Sequence, residues 1–279
     1  MYVLLKQVRS PVEKNRFFCI HLSGVDGGID VTFTPINEVH LNPDERIDQL
    51  TDRLAIIQSP HIFRFSMDAV LLARFCRLPR RGRIIDLCSG NGVIPILLST
   101  RTTLCIEGLE IQQQLVDMGR RSVMMNDLQQ QIQLHEGDLR DCPREWYGQF
   151  DLVTCNPPYM PVSESARNRN TCMAIARHEI CCTLEDVVRT SSKLLKSGAK
   201  LAIVHRAARF NDIVTVMRQY RLEAKRVRWV HPRSQAEANM VLVEAIKDGG
   251  VELHVESPLV VYNDDGSYTK EIYRIYGGT

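Results

Sequence analysis

Residues 83–98 join a short strand to an apolar helix through a turn that contains two glycines. Residues 83–87 have the length and Ile/Leu content of a buried strand, and residues 93–98 continue as the helix. Between them, Gly90 and Gly92 let the backbone approach a ligand closely, and a helix N-terminus favours a bound carboxylate or phosphate. The pattern predicts an α/β fold in which this turn contacts a ligand.

An acidic residue follows this turn at the distance that nucleoside-binding folds use. Glu110 comes twenty positions after Gly90 and directly after the candidate strand at residues 104–109, where its carboxylate can accept hydrogen bonds from ribose hydroxyls. This combination fits NAD and S-adenosylmethionine alike. The dinucleotide fingerprint, however, requires a third glycine where this chain has Pro95, and it does not include an acid at the position of Asp86.

Residues 156–159 read Asn-Pro-Pro-Tyr and follow a second buried strand at residues 150–155. Ligands collect at the carboxyl ends of the strands in an open parallel sheet, so this turn lies where chemistry is expected. The prolines donate no hydrogen bonds, which leaves the Asn156 side-chain oxygen and the Pro157 carbonyl as acceptors, with Tyr159 as a flat stacking surface. Two acceptors beside a ring suit a planar conjugated NH2 group, such as adenine N6 or a carboxamide.

The spacing of Asp86, Gly90 and Gly92 resembles the first motif of class I S-adenosylmethionine-dependent methyltransferases, and Asn-Pro-Pro-Tyr is similar to that family's signature for methylating amino nitrogens. In that family an acid after the third strand, here Asp138, meets the adenine amino group of the cofactor. The sets that the resemblance implies are Asn156, Pro157 and Tyr159 for catalysis, and Asp68, Asp86, Ser89, Gly90, Asn91, Gly92, Glu110, Asp138 and Asn156 for the cofactor.

From about residue 41 onward, further segments resemble the bacterial tRNA1(Val) adenine-N6 methyltransferases in their Gram-positive form. These segments are residues 44–48, 56–60, 63–72, 174–179, 183–186, 204–206 and 237–239. The resemblance implies methylation of N6 of adenosine 37, beside the anticodon of a valine tRNA. Other functions stay open. Two are methyltransferases: a glutamine-N5 protein methyltransferase, whose substrate is a similar flat NH2 group, and another RNA amino-group methyltransferase. The others are a cofactor-binding, RNA-associated module without activity and a nicotinamide enzyme that uses the same glycine turn.

Strands and helices alternate along the remaining sequence. Thr183 and Asp186 form a capping-box pattern that predicts the start of a helix. Extended segments follow at about residues 224–230 and 240–246. Together with the resemblance, these elements predict a doubly wound, mostly parallel seven-stranded sheet of the Rossmann-like methyltransferase type, with an antiparallel strand at its edge.

Three segments are predicted along the chain. Residues 1–40 form an N-terminal extension with short strands at 17–22 and 31–36, which we expect to be the least ordered part. Residues 41–249 form the methyltransferase domain. The first part of this domain, residues 41–80, is predicted to be helical and to begin with Asn42 as N-cap, Pro43 at N1 and Glu45 at N3. Residues 250–279 form a C-terminal surface tail.

The net charge of +2 predicts no strong interaction of the whole protein with nucleic acid, but the distribution of charge is uneven. Residues 189–233 contain twelve Lys or Arg and two acids, with Trp229 and His231 among the cations. Such a surface suits an RNA backbone with stacked bases, although a solvated basic edge of the sheet has the same composition. Arg167, Arg169 and Arg177, which follow Asn-Pro-Pro-Tyr, favour RNA.

Composition excludes several classes of protein. No apolar run reaches the length of a membrane span, and no signal peptide is recognisable, so we expect a cytoplasmic protein. The nine cysteines form no Cys-x-x-Cys pair, which disfavours a structural metal and favours reduced thiols. The sequence carries no signal for an oligomeric state.

Overall fold

A computed structural model describes residues 17–25, 28–36, 39–60, 62, 66–158 and 182–276 of the chain. Its strands fall into two hairpins and one large sheet. In chain order the strands are β1 Phe17–Val25, β2 Gly28–Ile36, β3 Arg46–Gln49, β4 Ala55–Gln58, β5 Ile84–Leu87, β6 Ile106–Glu110, β7 Ile132–Glu136, β8 Phe150–Cys155, β9 Leu195–Arg206, β10 Leu222–His231, β11 Met240–Lys247, β12 His254–Val255 and β13 Leu259–Val260.

The helices of these residues alternate with the strands of the large sheet. They are α1 Met67–Phe75, α2 Val93–Ser99, α3 Gln113–Met125, α4 Leu184–Leu194, α5 Phe210–Gln219 and α6 Lys270–Ile275. The capping box predicted for α4 is confirmed, because Thr183 Oγ1 accepts from Asp186 N and Asp186 Oδ2 accepts from Thr183 N. Helix α2 follows the glycine turn directly, as predicted.

Seven strands of the large sheet lie in the order β10-β11-β9-β8-β5-β6-β7, and β11 runs antiparallel to both of its neighbours. The predicted doubly wound, mostly parallel sheet with an antiparallel pair is therefore confirmed. Strand β11 itself lies one place in from the edge, because β10 returns on its outer side. The short strands β12 and β13 extend that edge by pairing parallel to β10.

The sheet is buried on both faces, which explains the nearly continuous apolar sequence of its central strands. Ile84 and Leu152 lie in register and face the layer that contains α1 and α2. Their neighbours Ile85 and Val153 face the opposite layer, which contains α4 and α5. Two separate apolar cores thus hold the strands in place and fix where their carboxyl ends meet.

The prediction of a helix that begins at Asn42 is wrong. The capping partners are present, since Glu45 Oε2 accepts from Asn42 N at 2.8 Å, but Glu45 N donates to Asn42 O and closes a turn. The chain then enters the antiparallel hairpin of β3 and β4, whose Ile47 and Ile57 pack on α3. Within the predicted helical part, residues 41–80, the helix α1 comes only after this hairpin.

The ends of the chain contribute further structure. The strands predicted at 17–22 and 31–36 correspond to the hairpin of β1 and β2. After residue 250 the chain pairs with β10 through β12 and β13, and α6 packs on α1 with Ile272 fully buried. The segment boundaries after residues 40 and 249, and the order of the first forty residues, stay predictions.

Candidate active site at the carboxyl edge of the sheet

A cavity opens where β5, β6 and β8 end. The strand order reverses between β5 and β8, so the cavity lies at the topological switch point, where open α/β sheets bind ligands. Its wall combines polar residues with apolar ones from α2, α3 and the strand ends. The predicted site residues in the wall are Ser89, Gly90, Glu110, Asp138 and Asn156, and their apolar neighbours include Val93, Ile94, Leu109, Leu115 and Leu139.

The glycine turn has the backbone that its sequence predicts. Gly90 and Gly92 have φ angles of 56° and 82°, in the left-handed region that L side chains rarely adopt. A Cβ atom on Gly92 would also come within 3.1 Å of the Leu134 side chain. Gly92 is the N-cap of α2, so the turn presents the start of this helix to the cavity.

Glu110 ends β6 and joins two elements of the cavity wall. Its Oε2 atom accepts from Gly90 N at 2.9 Å, and its Oε1 atom accepts from Gln112 N at 3.0 Å. Burial raises the pKa of this carboxyl above its usual value, against the effect of the backbone hydrogen bonds. The carboxyl group therefore lies beside both the glycine turn and the start of α3.

Asp138 follows β7 and lines the same cavity. Its Oδ1 atom accepts from Arg140 N at 2.9 Å, and the Arg140 guanidinium pairs with both carboxylate oxygens. The hydrogen bond from Arg140 lowers the pKa of Asp138. The side chain is therefore an ionised acceptor at the cavity wall, suited to an exocyclic amino group.

Asn156 follows β8 and lines the cavity beside Pro158. Its Oδ1 atom is buried and accepts no hydrogen bond from any described residue. A buried polar atom without a partner is rare in proteins and requires an explanation, such as a catalytic role or a bound water or ligand. Pro157 is buried behind Asn156 and does not line the cavity. Tyr159 lies outside the described residues.

Four predicted cofactor residues lie outside the cavity wall: Asp68, Asp86, Asn91 and Gly92. Asn91 donates from Nδ2 to Ile57 O at 2.9 Å and so ties the glycine turn to β4. Asp68 accepts from Ser66 Oγ and from Ala69 N, at the start of α1. The side chains of Asn91 and Asp68 therefore hold the surroundings of the cavity in place.

The cavity contains residues that the sequence did not predict. Gln112 lines it with a buried Oε1 atom that has no hydrogen-bond partner among the described residues. Its position two residues after Glu110 was the available signal. Cys88 and Cys182 also line the wall, with 3.8 Å between their Sγ atoms. No sequence signal brings these two cysteines together, because they are 94 positions apart.

Asp86 is fully buried and connects β5 to β8. Its Oδ1 atom accepts from Thr154 Oγ1 at 2.6 Å, and its Oδ2 atom has no partner among the described residues. Burial raises the pKa of this carboxyl to about 8 from an ordinary value of 3.8. The folded state therefore holds a proton that the unfolded state releases, and this contribution to stability is lost as pH rises from about 4 through about 8.

Asp86→Asn is expected to remove this loss, because the amide stays neutral at every pH. Thermal unfolding measured from pH 5 to pH 9 should show the melting temperature of the wild type falling relative to that of the variant. If the difference between the melting temperatures of the wild type and the variant stays constant across this range, Asp86 is already ionised in the folded protein.

The basic stretch at 189–233 is largely paired with acids. Its ion pairs are Arg189–Asp186, Lys196–Asp151, Arg209–Asp212, Arg218–Glu223, Arg221–Asp248, Arg226–Glu244, Arg226–Glu256 and Arg228–Glu271. Trp229 packs edge-to-face on Phe210 at 5.0 Å between ring centroids. Most of this stretch is thus a neutralised sheet edge, which weakens its interpretation as an RNA surface. Arg167, Arg169 and Arg177 lie outside the described residues.

Strand order, the inserted antiparallel β11 and the cavity at the switch point are those of the class I methyltransferase fold. The chain belongs to the family described as Methyltransferase small domain, whose model matches residues 65–226. A solved structure of a predicted O-methyltransferase from Agrobacterium tumefaciens shares this fold, with a TM-score of 0.62 and 24% identity over 76% of this chain and 96% of that one.

The chain is also similar to proteins named tRNA1(Val) (adenine(37)-N6)-methyltransferase. The protein from Parabacteroides distasonis is 26% identical over 177 residues, which cover 63% of this chain and 74% of that protein. The protein from Porphyromonas gingivalis strain ATCC 33277 is 27% identical over 236 residues, which cover 80% of this chain and 91% of that protein.

The described part of the chain contains neither a metal-binding cluster nor a membrane-spanning helix. No group of three or more His, Cys, Asp or Glu side chains in that part is arranged to hold a metal ion. No helix there combines the length and the apolar character that crossing a membrane requires.

Proposed function

We propose that this protein transfers a methyl group from S-adenosylmethionine to N6 of adenosine 37 in tRNA1(Val), in the cytoplasm. The observation that carries the proposal is the buried, unpartnered Oδ1 atom of Asn156 in the cavity wall, directly before two prolines. The similarity to tRNA1(Val) (adenine(37)-N6)-methyltransferases over most of the chain supports the choice of substrate.

The cavity residues fit this cofactor. Glu110 is placed to accept from the ribose hydroxyls, and Asp138 is an ionised acceptor for the adenine amino group. The glycine turn at the start of α2 suits the amino-acid carboxylate, and Gln112 offers a further unpartnered oxygen. When bound, S-adenosylmethionine supplies an electrophilic methyl group.

The residues of the Asn-Pro-Pro-Tyr turn act on the nucleophile. Adenine N6 attacks poorly because its lone pair is delocalised into the ring. Asn156 Oδ1 accepts a hydrogen bond from one of its two hydrogens, and the backbone carbonyl of Pro157, which lies in the chain between the wall residues Asn156 and Pro158, accepts from the other. These two bonds draw the nitrogen toward tetrahedral geometry and stabilise the positive charge that it gains on attack. Tyr159 stacks on the adenine once this base has turned out of its loop. A strong base is unnecessary, since the methylated nitrogen releases its proton readily to water.

The proposed function is tested with labelled S-adenosylmethionine and total tRNA from a strain that lacks the enzyme. We expect label in N6-methyladenosine after nucleoside analysis, and in valine tRNA after separation of the tRNA species. Label in protein would favour the glutamine-N5 alternative instead. Cofactor binding with no label in any fraction would favour the module without activity.

A further inference from the structure

Helix α6 presents one aromatic ring and two cations on its outer face. Lys270, Tyr273 and Arg274 are spaced i, i+3 and i+4, so their side chains lie on one side of the helix. All three are exposed, and Tyr273 has 56% of its surface accessible. Ile272 on the opposite side is fully buried and anchors the helix on the core.

The exposed ring of Tyr273 packs against a group of other tyrosines. Tyr268 contacts Tyr273 edge-to-face with 6.0 Å between centroids, at an angle of 84°. Tyr268 is itself stacked with Tyr262 at 5.2 Å and with Tyr276 at 6.1 Å. Four tyrosines thus form one braced cluster, and the outermost ring keeps an open face.

The cations beside this ring are available to a ligand. Neither Lys270 nor Arg274 forms an ion pair with a residue in the described part of the chain, in contrast to most of the stretch at 189–233. The only acid of the helix, Glu271, pairs with Arg228 at 2.8 Å. Asp264 and Asp265 lie in the preceding turn, so a phosphate chain would have to run on the Lys270–Arg274 side.

The helix lies at the same edge of the sheet as the cavity. Strand β13, which precedes it, pairs with Val230 and His231 at the carboxyl end of β10. Helix α6 packs on α1, and Arg74 Nε of α1 donates to Ile275 O at 2.9 Å. Near the first turn of α1, Ala69 lines the cavity.

We propose that this face of α6 binds single-stranded tRNA next to the target adenosine. Tyr273 stacks on an unpaired base of the loop, and Lys270 and Arg274 neutralise the adjoining phosphates. The inference rests on the proposed function, because it assigns part of the tRNA surface to a segment of this chain outside the cavity.

The test measures binding of an unmodified tRNA1(Val) anticodon stem-loop and the steady-state kinetics of methylation. Tyr273→Ala is expected to weaken binding and raise KM for tRNA by roughly tenfold, with kcat and the affinity for S-adenosylmethionine unchanged. Tyr273→Phe should behave as the wild type, because it keeps the ring. Lys270→Ala with Arg274→Ala should reduce the slope of log affinity against log salt by about 1 to 2.

A matched control exists at the opposite edge of the sheet. Tyr147 precedes β8, is 37% exposed and has Lys193 Nζ at 5.7 Å from its ring centroid. Tyr147→Ala with Lys193→Ala removes an exposed tyrosine ring and a neighbouring cation from this other surface and should leave tRNA binding unchanged.

The outcomes separate this inference from the proposed function. If the wild type methylates tRNA and the α6 variants keep its KM and salt slope, the surface assignment is wrong and the proposed function stands. The assignment is equally wrong if the control variant weakens binding as much as Tyr273→Ala. If the wild type methylates no tRNA, the proposed function fails first.

Discussion

Asn156→Ala is expected to lower kcat by roughly 10²-fold or more while S-adenosylmethionine binds as before. The substitution removes an acceptor whose hydrogen bond to the adenine amine strengthens as the nitrogen becomes positively charged, and loss of one such preorganised group has effects of this size. Asn156→Asp keeps an acceptor at the same place, so we expect it to lose less activity than the alanine variant.

The same substitution also separates a catalytic role from a structural one. Because the Oδ1 atom has no partner among the described residues, its removal breaks no known hydrogen bond of that atom, and the free energy of unfolding should stay within about 1 kcal/mol of the wild type. Single-turnover methylation measures the rate of methyl transfer, and calorimetric titration measures the affinity for S-adenosylmethionine. Urea unfolding measures the free energy of unfolding. Near-normal turnover in Asn156→Ala would remove Asn156 from the catalytic role.

The parts of the site that the sequence predicted correctly are local. The glycine turn needs positive φ at Gly90 and Gly92, the start of α4 needs a Thr183–Asp186 pair, and each signal lies within a few residues. Strand β8 and the turn after it were recognisable for the same reason. Because parallel strands end at one edge, these local signals predicted that Ser89, Gly90, Glu110, Asp138 and Asn156 lie close together, and all five line the cavity. The predicted cofactor residues Asp68, Asp86, Asn91 and Gly92 do not line it.

The parts that the sequence did not predict depend on distant partners. A capping pattern at Asn42 and Glu45 favours a helix locally, but the chain forms β3 and β4 because Ile47 and Ile57 bury against α3, some seventy residues later. The cations at 189–233 suggested an RNA surface because sequence shows their spacing and not their partners. Several of those partners, such as Asp151 and Glu244, come from other strands.

Arg226 illustrates how far such a partner network reaches. Its side chain is only 6% exposed and donates from Nη2 to Phe75 O at 2.6 Å and to Glu244 Oε2 at 3.1 Å. Its Nη1 atom donates to Glu256 at 2.7 Å, and the guanidinium lies 3.8 Å from the Phe75 ring centroid. One side chain therefore joins β10 to β11, to the end of α1 and to the C-terminal segment.

Arg226→Ala is expected to lower the free energy of unfolding by about 3 to 5 kcal/mol, because it leaves the Glu244 carboxylate buried without its cation. Urea unfolding followed by circular dichroism measures the change. Arg218→Ala is the control: that side chain is 57% exposed and pairs with Glu223, so the urea unfolding curve of this variant should match that of the wild type.

A double variant tests the physical reason. If the unpaired Glu244 carboxylate causes the loss, replacing both partners in Arg226→Met with Glu244→Leu should restore much of the stability, because no buried charge then remains in that pair. Glu256, the third member of the network, is more exposed and can be hydrated when its partner is absent. If the double variant is as unstable as Arg226→Ala, the loss comes from the hydrogen bond to Phe75 O and from packing on the Phe75 ring. The guanidinium would then act mainly as the connection between the sheet and α1.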